Sequence, residues 1–198
     1  MNEVVIASTN QGKIREIESI LKDIKIRVKS LKDFPEIPEI EEDGLTFSEN
    51  ALKKAQLVSK LTGKVTIADD SGLEVEYLNG KPGIHSARYA GKDATDALNI
   101  QKLLKELQNV PYAQRKARFR CVMVLCSPKG FCHSVDGECE GIIGFEPQGT
   151  YGFGYDPVFI VPEYNKTMAQ LSPNIKNRIS HRAKALEKLK AIIKEYLK

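Results

Sequence analysis

Val65-Thr66-Ile67-Ala68-Asp69-Asp70-Ser71-Gly72 sets two carboxylates and a hydroxyl at the end of an apolar, β-branched run. The run reads as a buried strand, and Asp69 to Gly72 as the glycine-marked turn that ends it. Leu73 to Tyr77 alternates apolar and acidic residues as the next strand, and Asn79-Gly80-Lys81-Pro82-Gly83 breaks the chain after it. Adjacent side chains on extended backbone point to opposite faces. One aspartate of the pair can therefore bind a divalent metal or activate water while backbone donors hold the other.

Towards the N-terminus, Val4 to Ala7 reads as a strand, and Ile14, Ile17, Ile20 and Leu21 recur with helical spacing. Between them, Ser8-Thr9-Asn10-Gln11-Gly12-Lys13 falls at a helix N-terminus. Free N–H groups and the positive end of the helix dipole favour phosphate there, and Lys13 adds a full charge. The spacing is not that of a Walker loop, and a plain helix cap explains the same residues. Phe34 to Asp43 is a proline-interrupted acidic stretch containing Glu36, Glu39, Glu41, Glu42 and Asp43, read chiefly as solvated loop charge. Thr46-Phe47-Ser48-Glu49 has the form of a capping box before a helix with Phe47, Ala51, Ala55 and Val58 on one face, which gives Glu49 a structural reading.

Towards the C-terminus, Ile84 to Gly91 reads as a loop and Asp93 to Leu107 as a helix with Leu103, Leu104 and Leu107 inward. Arg118 to Cys126 and Phe131 to Cys139 form a hairpin around Ser127-Pro128-Lys129-Gly130. Gly149 to Pro157 precedes a strand at Val158 to Val161. Its glycines let backbone approach a flat ligand on which Phe153 or Tyr155 stacks; a tight turn with packed rings fits the same residues. Lys176-Asn177-Arg178-Ile179-Ser180-His181-Arg182 is a second anion-handling segment. The last helix places Leu186, Leu189, Ile193 and Leu197 inside, with Lys184, Lys188, Lys190, Lys194 and Lys198 on a solvated face.

The 198 residues suffice for one large domain or one domain of two lobes, with a core that needs no disulfides. Hydrophobic residues at 41% and charged residues at 28% belong to a soluble globular chain. With no basic n-region, cleavage signature or membrane-length apolar run, the expected location is the cytoplasm. Cys121, Cys126, Cys132 and Cys139 include no Cys-x-x-Cys pair, which argues against zinc, and they read as buried thiols.

Together these segments resemble the inosine triphosphate pyrophosphatase family from Val4 to Leu186. The motifs are Ser8 to Lys13, Thr46 to Ala51, Ala68 to Leu73, Pro82-Gly83 with Ser86 to Tyr89, Gly152 to Pro157, and Ile179 to Arg182, all in one order. The resemblance implies an elongated α/β fold: a long mixed β-sheet with flanking helices, forming a single two-lobed domain over 1–198 with the active site in the cleft between the lobes. It implies a homodimer that hydrolyses dITP, ITP and XTP to monophosphate and pyrophosphate, with Mg2+ or Mn2+. By the same resemblance Asp70 is general base and metal ligand, with Asp69 assisting, and Glu41 is the second metal carboxylate. Ser8, Thr9, Asn10, Gln11, Gly12 and Lys13 hold the triphosphate. Ser71, Phe153, Gly154, Tyr155, Asp156, Lys176, His181 and Arg182 are the remaining substrate contacts. Gln170 stands where the family commonly has glutamate.

Two rival readings are weaker. A nucleic-acid-binding module would suit the net charge of +4, but the acidic Phe34 to Asp43 stretch and the aspartate pair oppose it. A pyrimidine nucleotide pyrophosphatase would need similar catalysis, but Gly152 to Asp156 and Ser180 to Arg182 favour purines. A membrane role has no apolar segment to support it.

Overall fold

The computed structural model describes residues 2–196, so the expected positions of Leu197 and Lys198 lie outside the described residues. Seven strands form one sheet in the order β2-β1-β3-β4-β5-β6-β7. They are β1 (Asn2–Ile6), β2 (Ile26–Ser30), β3 (Val65–Val75), β4 (Lys116–Cys126), β5 (Cys132–Ile143), β6 (Phe159–Val161) and β7 (Lys166–Thr167). β1 pairs in parallel with β2 and β3, while β5–β6 and β6–β7 are antiparallel, so the sheet is mixed as expected. The helices are α1 (Gln11–Leu21), α2 (Phe47–Thr62), α3 (Asp96–Glu106), α4 (Pro173–Ile179) and α5 (His181–Tyr196).

The chain divides into two compact units, each with its own core. The first runs to Asp70 and adds Cys121–Gly137 and the chain from His181; the second is Ser71–Arg120 with Glu138–Ser180. In the first, Ile14, Ile17 and Leu21 of α1 and Leu186, Leu189 and Ile193 of α5 pack with Val4, Ile6, Ile67 and Met123. In the second, Leu103 and Leu107 pack with Leu73, Phe119, Val158 and Phe159, and the Phe119 and Phe159 rings lie 4.3 Å apart.

Two expectations are corrected. The aspartate pair does not end a strand: β3 continues from Val65 to Val75 without a turn. The carboxylates are accommodated in mid-strand because each has charged or hydrogen-bonding partners, and Ser71 and Gly72 remain extended. Nor are all four cysteines thiols. Cys126 and Cys132 form a disulfide, because the hairpin turn brings their Cα atoms within 4.2 Å and Ser127 N donates to Phe131 O at 2.8 Å. Cys121 and Cys139 are free and buried.

Candidate active site

In the first unit, the parallel register pairs Ile6 with Ile67, and Ala7 N donates to Ile67 O at 2.8 Å. The chain thus leaves the carboxyl end of β1 level with Ala68-Asp69-Asp70, the end of a parallel sheet where ligands bind. Asn10 caps α1, its side-chain oxygen accepting from Gly12 N (2.8 Å) and Lys13 N (3.1 Å). Thr9, Asn10 and Gln11 are exposed, with Ser8 and Lys13 half-buried. The cap reading is correct as far as the backbone goes, and it aims Lys13 at β3.

Lys13 Nζ lies 3.1 Å from Asp69 Oδ2. The same oxygen accepts from Arg182 Nη2 at 3.0 Å and Nε at 3.3 Å, and Arg182 Nη1 donates to Glu16 Oε2 at 2.6 Å. The Asp69 side chain is fully buried and that of Arg182 is 1% exposed. Burial alone would raise the Asp69 carboxyl, but Lys13, Arg182 and Lys54 together hold it far below the usual carboxylate range. Burial, reinforced by Asp69, pushes the neighbouring Cys121 thiol up to about 12, which leaves it inert at neutral pH. Gly137 of β5 permits the close approach of α5 that delivers Arg182. A Cβ there would lie 2.2 Å from His181 O and 2.5 Å from Ala185 N.

Asp70 faces different partners. Asn50 of α2 donates to its Oδ2 at 3.0 Å and fixes Gly44 N through its own oxygen at 2.8 Å. Lys54, one helical turn further on, bonds to Glu42, donates to the Asp69 carbonyl at 2.7 Å and lies 3.9 Å from Asp70 Oδ1. Burial raises the Asp70 carboxyl above its ordinary value, Lys54 and Lys13 only partly opposing it. Burial also disfavours the Lys54 ammonium, but Asp69, Glu42 and Asp70 overcome this and stabilise it.

In the second unit, Asp156 gathers a turn around itself. Its Oδ2 accepts from Phe153 N at 2.9 Å and pairs with the buried Lys176 ammonium, which sits 4.7 Å from the Phe153 ring centroid. Gly154 N donates to Asp96 Oδ2 at 2.7 Å, and Tyr155 OH to Ser86 O at 2.8 Å. Ser86 Oγ in turn accepts from Leu73 N of β3 at 2.8 Å and donates to Gly83 O. Ser71 is half-buried in β3.

The Ham1 family model matches residues 4–192. The chain belongs to the Ham1 family. Among its Ham1 relatives, a dITP/XTP pyrophosphatase of Bacillus licheniformis is 54% identical over 193 residues, 98% of each chain. One of Geobacter sulfurreducens is 53% identical over 197 residues, covering 100% of this chain and 97% of that relative. The solved Ham1 structure from Coxiella burnetii matches with a TM-score of 0.89 and that from Staphylococcus aureus with 0.87. Each is 45% identical and covers 98% of this chain and 100% of its own.

Within this Ham1 chain the expected residues fall into two groups. Ser8 to Lys13, Asp69, Asp70, His181 and Arg182 belong to the first unit; Ser71, Phe153 to Asp156 and Lys176 belong to the second. At three of these positions the structure shows contacts that the sequence does not. Glu41 is exposed, and Glu42, the next residue, is the carboxylate that reaches Lys54 beside Asp70. Arg182, expected among the substrate contacts, bonds through its guanidinium to Asp69 and Glu16. Lys176, expected in an anion-handling segment, pairs with Asp156 beside the Phe153 ring. Asn50 and Lys54 were missed, although their signal is in the sequence: both share the buried face of α2 with Phe47, Ala51, Ala55 and Val58. A lysine on an apolar stripe needs a buried partner.

Proposed function

We propose that this Ham1 protein hydrolyses deaminated purine nucleoside triphosphates, dITP, ITP and XTP, to the monophosphate and pyrophosphate, removing deaminated purines from the nucleotide pool. The observation that carries the reading is the divergence of two adjacent carboxylates beside the Ser8–Lys13 loop. One is locked as an ion-paired anion; the other is raised above its ordinary value by burial and its side chain is 7% exposed. Titratable pairs whose surroundings drive them apart mark the division of acid–base roles.

Asp70 is the group that takes a proton from the attacking water at a carboxylate oxygen. The water oxygen bonds to the α-phosphorus, the bridging bond to the β-phosphate breaks, and pyrophosphate leaves. Ser8 to Lys13 meet the phosphates, where Lys13 balances charge building on their oxygens. Asp69, Arg182 and Glu16 are positioning residues that fix Lys13 and the start of α5. Asn50 orients Asp70 through the Oδ2 hydrogen bond.

Among the described residues no group of three or more His, Cys, Asp or Glu is gathered to hold a metal. Magnesium does not need one: it favours one or two carboxylates, its own waters and substrate phosphates. Asp70, Glu42 and the Asp69 carbonyl fit that donor set, and the Lys54 ammonium among these oxygens supports a cation-attracting cluster there. When bound there, magnesium would neutralise phosphate charge and lower the pKa of its bound water.

The Phe153–Asp156 turn receives the purine, with Phe153 as the stacking surface. His181 and neighbouring backbone donors meet the 6-oxo group, which accepts hydrogen bonds; the amino group of adenine would set donor against donor. The family resemblance supports a homodimer and a cytoplasmic location. No helix among the described residues is long and apolar enough to cross a membrane.

The test is a pyrophosphate-release screen over ITP, dITP, XTP and the standard triphosphates, with and without magnesium. Magnesium-dependent pyrophosphate release is expected from the deaminated substrates, with ATP about four orders of magnitude less efficient. Orthophosphate as the product would contradict the assignment of the broken bond, and equal efficiency on ATP would contradict base recognition.

A further inference from the structure

We propose that Asp96 is a positioning residue for nucleobase recognition, its carboxylate holding the Phe153–Gly154–Tyr155 turn in the conformation that receives the purine. The inference rests on the assignment of that turn to the base and goes beyond it to what makes the turn fit for the task.

The turn has little conformational preference of its own. Gly152 and Gly154 have φ of +79° and +60°, a left-handed region that glycine enters freely but does not prefer. Three side-chain hydrogen bonds from three parts of the unit fix it. Asp156 takes the amide of Phe153, Tyr155 OH reaches Ser86 O, and Asp96 takes the amide of Gly154 at 2.7 Å across a separation of 58 residues. The first two lie in buried surroundings, with Asp156 and Tyr155 2% and 4% exposed. Asp96 is exposed and reaches in from the first turn of α3, where the helix N-terminus favours a negative charge. A charged acceptor on a backbone amide is the stronger kind of hydrogen bond. Gly154 has no side chain through which the turn could be held in another way. Packing therefore holds the two ends, and Asp96 holds the middle.

A turn that wanders binds substrate only in its competent fraction, so losing Asp96 raises KM in inverse proportion to that fraction. One hydrogen bond of this strength corresponds to about a three- to tenfold rise.

The experiment compares wild type with Asp96→Ala, Asp96→Asn and Phe153→Ala. It measures kcat and KM on ITP and competitive inhibition by IMP, which carries the base, and by inorganic tripolyphosphate, which does not. Asp96→Ala is expected to raise KM for ITP and Ki for IMP about three- to tenfold, with the change in KM rather than kcat and the tripolyphosphate Ki unmoved. Asp96→Asn keeps an oxygen acceptor and is expected to restore both towards wild type. Asp96→Ser suits a helix start but is too short to reach Gly154, and it replaces the alanine variant if that one fails to fold. Wild-type KM and IMP inhibition in Asp96→Ala, with both weakened in Phe153→Ala, would overturn the role of Asp96 and leave the base assignment standing. Wild-type values in Phe153→Ala as well would overturn both. Equal losses for IMP and tripolyphosphate would show general damage and likewise overturn the proposal.

Discussion

Asp69 and Asp70 are neighbours in one strand with opposite surroundings. The Asp69 carboxylate is sealed against Lys13 and Arg182, whereas that of Asp70 meets Asn50 and Lys54 and retains contact with solvent. The alternation of side chains along extended backbone produces this contrast. Two identical groups thereby acquire different character, one tying the Ser8–Lys13 loop to β3 as an ion-paired anion and the other raised above its ordinary value by burial.

The sealed carboxylate makes the fold acid-sensitive. The Asp69 carboxyl lies far below its ordinary value of 3.8 in the folded protein, so its contribution to stability is complete above that value and is lost as pH falls towards the folded one. Thermal melts from neutral pH downward should show Tm falling from about pH 5. Asp69→Asn removes the carboxylate shared by half-buried Lys13 and buried Arg182, which keeps only Glu16, and should cost about 3–5 kcal/mol at pH 7. The variant's Tm should then fall less steeply with acid than that of wild type, whereas parallel curves would contradict the ion-pair account.

Glu42 and Glu41 separate the geometry from the motif. If Glu42 shares the cation with Asp70, Glu42→Gln should raise the magnesium concentration for half-maximal pyrophosphate release by about tenfold or more. Glu41→Gln should leave it within about twofold, since the change is at an exposed loop position. A magnesium titration giving the opposite order would make Glu41 the ligand and contradict the role of Glu42.

Gln170 illustrates how a departure from a family pattern is absorbed. Its Oε1 accepts from Thr167 N at 2.8 Å as part of a capping box, and its Nε2 donates to Gln148 Oε1 at 3.3 Å. Glutamate would keep the first bond, and a rotated Gln148 amide would replace the second. Gln170→Glu should therefore change stability by less than about 0.5 kcal/mol and leave activity unaltered. A loss of activity would give this side chain a role that its contacts do not show.

What the sequence made legible follows from how local each signal is. The strand–loop–helix at the start, α2, α3, the hairpin and the last helix were visible because hydrophobic period and cap residues act within a few positions. The strand β3 was cut short in the reading because Asp69-Asp70-Ser71-Gly72 has the composition of a turn; Lys13, Arg182, Asn50 and Lys54, which make it tolerable in a strand, come from distant segments. Adjacent glutamates in an acidic loop cannot be told apart by pattern; that Glu42 is the one beside Lys54 depends on where α2 places that lysine. The destination of the Arg182 guanidinium was invisible for the same reason: its partners Glu16 and Asp69 are 166 and 113 residues away.

The central claim is that Asp70 accepts the proton of the attacking water, and the most direct measurement is the rate of pyrophosphate release from dITP by Asp70→Asn at saturating magnesium, with its Tm at pH 7. Because burial raises the Asp70 carboxyl, ionisation costs the fold stability that is recovered as pH falls through the raised value. An uncharged asparagine should thus leave Tm at or above that of wild type. The rate should fall by about a hundredfold or more. A folded Asp70→Asn protein that releases pyrophosphate at close to the wild-type rate would contradict the account.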